Sequence, residues 1–256
     1  MTSSRTSPWE TIHRRIIQRQ MIVQSLSKIN NAFPQLFSVK SCAMLGCGSG
    51  QLDLEFVSRY LPNVEKLTAV EPDADQMAAF KTRVAQLLPD VITDCCQETA
   101  QSWKGADQPF DAVLLFHCLY YIPQLERPAL FKKLFDNVVA NGGLVFIVTS
   151  PCNLENTTSL WRLFERLSLP SYSAFEVIDG VQVRDMMTSV GFHECYQLPI
   201  EYQLDAEEPN DDLMSVFVFW SRGMLSLENV REAANEVFGN EICLPNDVWF
   251  GVFEKK

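Results

Sequence analysis

Ala43-Met-Leu-Gly-Cys-Gly-Ser-Gly50 decides how this chain folds. It reads as a short apolar strand running into a glycine turn. Leu52, Leu54, Phe56, Val57, Tyr60 and Leu61 follow in a helical pattern. A second apolar strand, Leu67-Thr-Ala-Val70, then ends on an acid, Glu71. Strand, glycine turn, helix, strand and acid, with the acid about twenty residues beyond the glycines, is the layout of a nucleotide-binding βαβ unit. Glycines let the backbone come close to a ligand. A carboxylate at the second strand end can accept hydrogen bonds from two vicinal ribose hydroxyls.

Glycine spacing separates the possible nucleotides. A dinucleotide fold uses G-x-G-x-x-G, whose third glycine packs the helix against the strand. Here Gly46, Gly48 and Gly50 spell G-x-G-x-G, and Gln51 stands where that third glycine belongs. This counts against an NAD-dependent oxidoreductase. The loop resembles the first motif of the class I S-adenosylmethionine (SAM) methyltransferases, where it cradles the amino-acid end of the cofactor. The resemblance implies SAM as cofactor.

Working outward, strands are predicted at Cys42–Leu45, Leu67–Val70, Val91–Cys95, Pro109–His117 and Leu144–Val148, with helices at Leu52–Tyr60, Ala74–Leu88 and Ala129–Val139 between them. Asp73 and Gln76 form a capping pair for the second helix, and Asn141-Gly-Gly143 stops the third. Strands alternating with helices argue for a parallel, doubly wound sheet. Farther on, Thr158–Leu169 and Val183–Val190 read as helices, Asn210–Phe238 as two more, and Glu194–Leu204 and Val248–Glu254 as strands. Upstream, Ser7-Pro-Trp-Glu10 is a capped helix start. The expectation is an α/β fold: one Rossmann-like, mainly parallel seven-stranded sheet with an N-terminal helix and C-terminal helical additions. A single domain spans 1–256, with a substrate-lid helix over 7–32, a SAM-binding core over 40–150, and the substrate pocket and last strands over 151–256.

Composition narrows the partners. The chain has 256 residues and 47% hydrophobic content, enough for a full core. No apolar run approaches the roughly eighteen residues of a membrane span, and Met1-Thr-Ser-Ser-Arg-Thr-Ser-Pro8 has no signal-peptide character. The eight cysteines show no C-x-x-C pair, so a reduced, cytoplasmic setting is expected and no metal site. Net charge is −11, and the basic residues are scattered, which argues against nucleic acid as a partner. An acidic surface raises the local concentration of cations, so a small cationic amine is a plausible substrate.

Ligands of an open α/β sheet bind beyond the carboxyl ends of its strands. Segments expected to converge there are the glycine loop, Glu71 with Gln76, the turn Glu98-Thr99-Ala100, and Phe116-His117-Cys118-Leu119-Tyr120-Tyr121 after strand four. Methyl transfer needs an unprotonated nucleophile held in line, and much of its acceleration comes from orientation. Tyr120 and Tyr121 offer flat faces and hydroxyls, and His117 an acceptor or mild base. The Asp/Asn-Pro-Pro-Tyr signature of enzymes that methylate exocyclic base amines and glutamine amides is missing after strand four.

These residues resemble one family in particular, the histamine N-methyltransferases. Leu45-Gly-Cys-Gly-Ser-Gly-Gln-Leu-Asp-Leu54 is similar to its glycine loop, Val70-Glu-Pro-Asp-Ala-Asp-Gln76 to its ribose-binding segment, Glu98-Thr99 to its adenine contact and Leu119-Tyr-Tyr-Ile122 to its segment after strand four. The resemblance implies that Gly46, Cys47, Gly48, Gly50, Glu71, Pro72, Gln76, Thr99, Ala100, Phe116 and His117 hold the cofactor. It implies that Trp9, His13, Trp161 and Asn246 contact the substrate, and that His117, Tyr120 and Tyr121 serve catalysis. Three departures concern the substrate side. No carboxylate follows Glu10 on the N-terminal helix, His117 replaces a glutamine, and Ala100 replaces a serine. The expected activity is methyl transfer to a nitrogen of a small amine or imidazole by a monomer. Two alternatives stay open: O- or carboxyl-methylation of another metabolite, and a catalytically silent SAM-binding protein.

Overall fold

The computed structural model describes residues 29, 33–150, 152–153, 162–163, 166–167, 176–204, 218, 225–238 and 244–256. The predicted lid helix over 7–32, with Trp9 and His13, lies outside them except for Ile29, as do Trp161 and most of 154–175 and 205–224.

Seven strands form one sheet in the order β3-β2-β1-β4-β5-β7-β6. They are β1 (Ser41–Leu45), β2 (Lys66–Val70), β3 (Ile92–Cys96), β4 (Phe110–Phe116), β5 (Val139–Thr149), β6 (His193–Leu204) and β7 (Leu244–Glu254). The first five run parallel, and β7 is antiparallel to both β5 and β6. This is the doubly wound, mainly parallel sheet read from the alternating pattern. Helices α1 (Gln51–Tyr60), α2 (Ala74–Leu87), α3 (Arg127–Lys133), α4 (Gly180–Ser189) and α5 (Leu227–Phe238) accompany it.

Strands covered on both faces are apolar throughout. Residues 42–45 of β1 are all buried. Alternate residues feed two cores: Ala43, Leu45, Val113, Leu115, Val145 and Ile147 face one, and Cys42, Met44, Ala112, Leu114, Phe146 and Val148 the other. The first core packs on α4 and α5, the second on α1 and α2. β3 is the exposed edge.

Capping sets several boundaries. The Asp73 carboxylate accepts from the N–H groups of Asp75 and Gln76, starting α2. A capping box between Asp179 and Gln182 starts α4 at Gly180, three residues before the predicted helix. Pro128 suits the first turn of α3, which therefore begins before Ala129 and closes with a wider turn over Leu134–Val138. The glycine pair also acts differently from a simple stop. β5 begins at Val139, opposite Phe110, bulges, and resumes pairing at Leu144 opposite Ala112. Gly142 at φ +76° makes that bulge possible, and Gly142 N–H donates to Lys255 O while Lys255 N–H donates to Gly143 O. β7 likewise starts at Leu244, four residues before the predicted strand.

Candidate functional site

The sheet reverses its strand order at β1, with β2 on one side and β4 on the other. The crevice beyond these strand ends is where an open α/β sheet binds ligands. The glycine loop stands there. Its first N–H groups, from Gly46 and Cys47, donate to Val70 O at 2.7 and 3.4 Å, tying the loop to the end of β2. Gly46, Gly48 and Gly50 all take left-handed φ values, of 64°, 53° and 72°. At Gly46 a side chain is excluded twice, since an added Cβ would also lie 2.5 Å from Cys118 Cβ. That contact shows how closely the loop meets the segment after β4. Arg83 Nη1, on α2, donates to Ser49 O and braces the loop from outside.

Glu71 does more than end a strand. It is 8% exposed. Its Oε2 accepts from Gly48 N–H at 2.9 Å and its Oε1 from Asp73 N–H at 3.0 Å. One carboxylate therefore joins the glycine loop to the start of α2. A carboxylate offers about four lone-pair directions, so two remain for a pair of vicinal hydroxyls. Gln76 comes near the same loop, its Oε1 3.7 Å from where a Cβ on Gly48 would stand. Pro72 is exposed beside it and Cys47 is buried, its thiol pKa pushed up by desolvation and further by Asp53 and Glu71.

The turn after β3 closes the next side. Thr99 Oγ1 lies 2.9 Å from Ser102 Oγ and accepts from Ser102 N–H at 3.1 Å, so this hydroxyl caps its own turn. Ala100 is buried in the core cluster that holds Trp103. What anchors this turn leaves no signal in the turn's own sequence. Lys133 Nζ, on α3, donates to the carbonyls of Ala100, Gln101 and Trp103 at 2.7, 3.1 and 2.7 Å. Desolvation lowers its pKa, opposed by Glu98.

Beyond β4, Phe116 is buried. Its ring packs edge-on against Phe56 of α1 at 5.3 Å. The apolar pattern makes His117 the last residue of the strand. It lies just past it, at φ +52°, the one described non-glycine residue in the left-handed region. Such a conformation costs about 1–2 kcal/mol and clusters at functional sites. Its N–H still donates to Val148 O at 2.9 Å. Its Nδ1 lies 2.9 Å from Tyr120 Oη, and Tyr120 Oη accepts from Ser150 N–H at 2.8 Å. The end of β5 thus holds Tyr120, and Tyr120 holds the imidazole. Tyr120 is buried, whereas Tyr121 is 47% exposed; desolvation raises the Tyr121 phenol pKa, helped by Tyr120 and Glu71. Glu176 N–H donates to Tyr120 O, bringing the segment before α4 to the same place. Asn246 stands in β7, paired with Tyr202 of β6.

The arrangement fits SAM. Glu71 keeps two acceptor directions for a ribose diol, and the loop keeps its glycine backbone free of side chains against Cys118. Comparison with known proteins agrees. Residues 43–143 match the family described as a methyltransferase domain. No curated protein matches in sequence. Among solved structures, a Bacillus halodurans protein provisionally named a methyltransferase superposes with TM-score 0.64 at 14% identity, over 90% of this chain and 99% of that one. An N-methyltransferase from Bradyrhizobium japonicum gives TM-score 0.55 at 10% identity, over 94% and 99%. A mycolic acid cyclopropane synthase, solved with S-adenosylhomocysteine, gives 0.56 at 16%, over 90% and 84%. Residues 43–143 are thus a methyltransferase domain, set on a sheet whose fold is shared with S-adenosylmethionine-dependent methyltransferases.

Proposed function

We propose that the chain transfers a methyl group to a nitrogen of a small-molecule acceptor, an amine or an imidazole. The observation that carries this reading is the held imidazole of His117, fixed through Tyr120 to Ser150 directly beside the loop that Cys118 touches. SAM supplies an electrophilic methyl group on a sulfonium. What the chain must add is position, which can contribute about 7–11 kcal/mol to such a step. An imidazole acceptor, with a pKa of about 6.5, is largely neutral at pH 7 and needs placing rather than deprotonating, whereas an amine near 10.4 needs a base. Tyr121, with its pKa raised, stays a phenol at neutral pH and offers a face and a hydroxyl, not a base. The resemblance to histamine N-methyltransferases and the similar fold of an N-methyltransferase point the same way.

Turnover of SAM to S-adenosylhomocysteine against a panel of amines, imidazoles, phenols and carboxylates tests the acceptor class. Turnover with carboxylates or phenols alone would replace the nitrogen reading, and none at all would leave a silent cofactor-binding protein. His117 is tested within that assay. If it orients the acceptor, His117→Gln keeps much of the activity and His117→Ala loses about 100-fold, as misplacement alone can. If it is a base, both fall by about 10²–10⁴. Wild-type rates in both variants would remove His117 from the acceptor site.

A further inference from the structure

Four charged side chains are buried among the described residues, and three have partners. Glu71 accepts from Gly48 and Asp73, Arg127 donates to Ile122 O and Glu176 O, and Asp179 accepts from Gln182 N–H. Asp53 differs. It is 4% exposed, and its Oδ1 meets no hydrogen-bond partner. It is the third residue of α1, immediately beyond the glycine loop. An acid in a helix's first turn complements the helix dipole, but that needs no burial. Asp53 is nonetheless spaced with Phe56, Val57 and Tyr60, which puts it on the buried stripe of α1.

Among the described residues, no positive charge acts on it. The groups that interact with it are the Cys42 thiol in β1, the Cys47 thiol in the loop, the Cys118 thiol beyond β4 and the Glu71 carboxylate at the end of β2. Two carboxylates, one with an oxygen that meets no partner, therefore flank the loop on which a cation is to sit. SAM brings positive charge at its sulfonium and at its α-ammonium. We propose that Asp53 supplies the counter-charge for the cationic end of the cofactor seated on the glycine loop. The proposal rests on the assignment of SAM to that loop.

A proton must balance the change. Burial, aided by Glu71 and opposed by its own backbone N–H, pushes the Asp53 carboxyl from an ordinary 3.8 up to about 8. At pH 7 the free chain holds Asp53 as the neutral acid. A cation arriving beside it favours the carboxylate, and the proton passes to solvent. The thiols of Cys42, Cys47 and Cys118 are all pushed above their usual range by burial, so none is the source.

Calorimetric titration of the full chain at pH 7, in buffers of different ionisation heat, counts that proton. Expected is release of about one proton per SAM bound, with affinity rising up to tenfold per pH unit between pH 6 and about 8. Asp53→Asn, which keeps the shape, should bind with no release and a flat pH profile. S-adenosylhomocysteine keeps the ammonium but not the sulfonium charge, and 5′-methylthioadenosine has neither. Release with both SAM and S-adenosylhomocysteine assigns the ammonium, and release with SAM alone assigns the sulfonium; either supports the proposal. Binding of SAM without release by the wild-type chain, release that survives Asp53→Asn, or equal release with 5′-methylthioadenosine overturns it. No binding of SAM at all would instead overturn the cofactor assignment, and the proposal with it.

Discussion

Replacing Glu71 with glutamine separates two tasks that the structure gives one side chain. The carboxylate holds Gly48 N–H on one oxygen and Asp73 N–H on the other, at 2.9 and 3.0 Å. Glutamine keeps a single acceptor oxygen and places an NH2 group where the second one stood. Whichever way the amide turns, one backbone N–H faces a donor, and a bound ribose loses one acceptor. A hydrogen bond to a charged group contributes about 1.5–3 kcal/mol. The free chain should therefore lose stability of about that size, seen as a lower Tm. Binding should weaken by a further 1.5–3 kcal/mol, about 10–150-fold in the Kd for S-adenosylhomocysteine by calorimetry. Glu71→Ala removes both acceptors and should exceed the glutamine variant on both counts. A wild-type Kd in Glu71→Gln would refute the ribose role, and a wild-type Tm would refute the brace between loop and helix.

Three further outcomes follow from the geometry. Gly46→Ala places a Cβ 2.5 Å from Cys118 Cβ at φ +64°; left-handed strain of about 1–2 kcal/mol and overpacking of about 1–3 kcal/mol should abolish measurable cofactor binding in a chain that still melts cooperatively. Asp53→Asn should change how stability varies with pH. A carboxyl raised from 3.8 to about 8 is fully stabilised below pH 4, and that stability is lost as pH rises through about 8, at no more than about 1.4 kcal/mol per pH unit. Urea unfolding from pH 4 to 8 should therefore show the variant gaining on the wild type as pH increases, and parallel curves would remove the raised carboxyl. Lys133→Met keeps the apolar stem but frees three carbonyls of the turn after β3; it should raise KM for SAM several-fold with kcat preserved, and a fall in kcat alone would place Lys133 elsewhere in the cycle.

Most of the sheet was legible because its strands are buried on both faces and so carry unbroken apolar runs between turn signals. Where boundaries moved, the reason is a contact between distant residues. Val139 reads as the end of a helix, and only its pairing with Phe110 makes it a strand. Gly142-Gly143 reads as a stop, and only Lys255, at the far end of the chain, turns it into a hydrogen-bonded bulge. Gly180 precedes the apolar spacing of α4, so the helix start shows in the capping pair Asp179 and Gln182 rather than in periodicity.

The same division runs through the site. Cofactor recognition demands left-handed backbone at three positions and an acid at a strand end, and few residue types meet those demands. Local spacing therefore betrays Gly46, Gly48, Gly50 and Glu71. The segment after β4 and the turn after β3 are held differently. Tyr120 is fixed by Ser150, thirty residues on, and by Glu176, and the anchoring lysine of the turn after β3 sits on α3. Sequence singles out Tyr120 but not what holds it, and nothing near Ser150, Glu176 or Lys133 marks those partners out, since such residues are equally at home on any surface. Asp53 falls between these cases. Its spacing with Phe56, Val57 and Tyr60 puts a carboxylate on an apolar stripe, a conflict between charge and burial. Such conflicts are costly to the fold, and they persist where a ligand's charge resolves them. A chain that tolerates this one directly behind its cofactor loop has arranged its electrostatics for the bound state rather than for the free one.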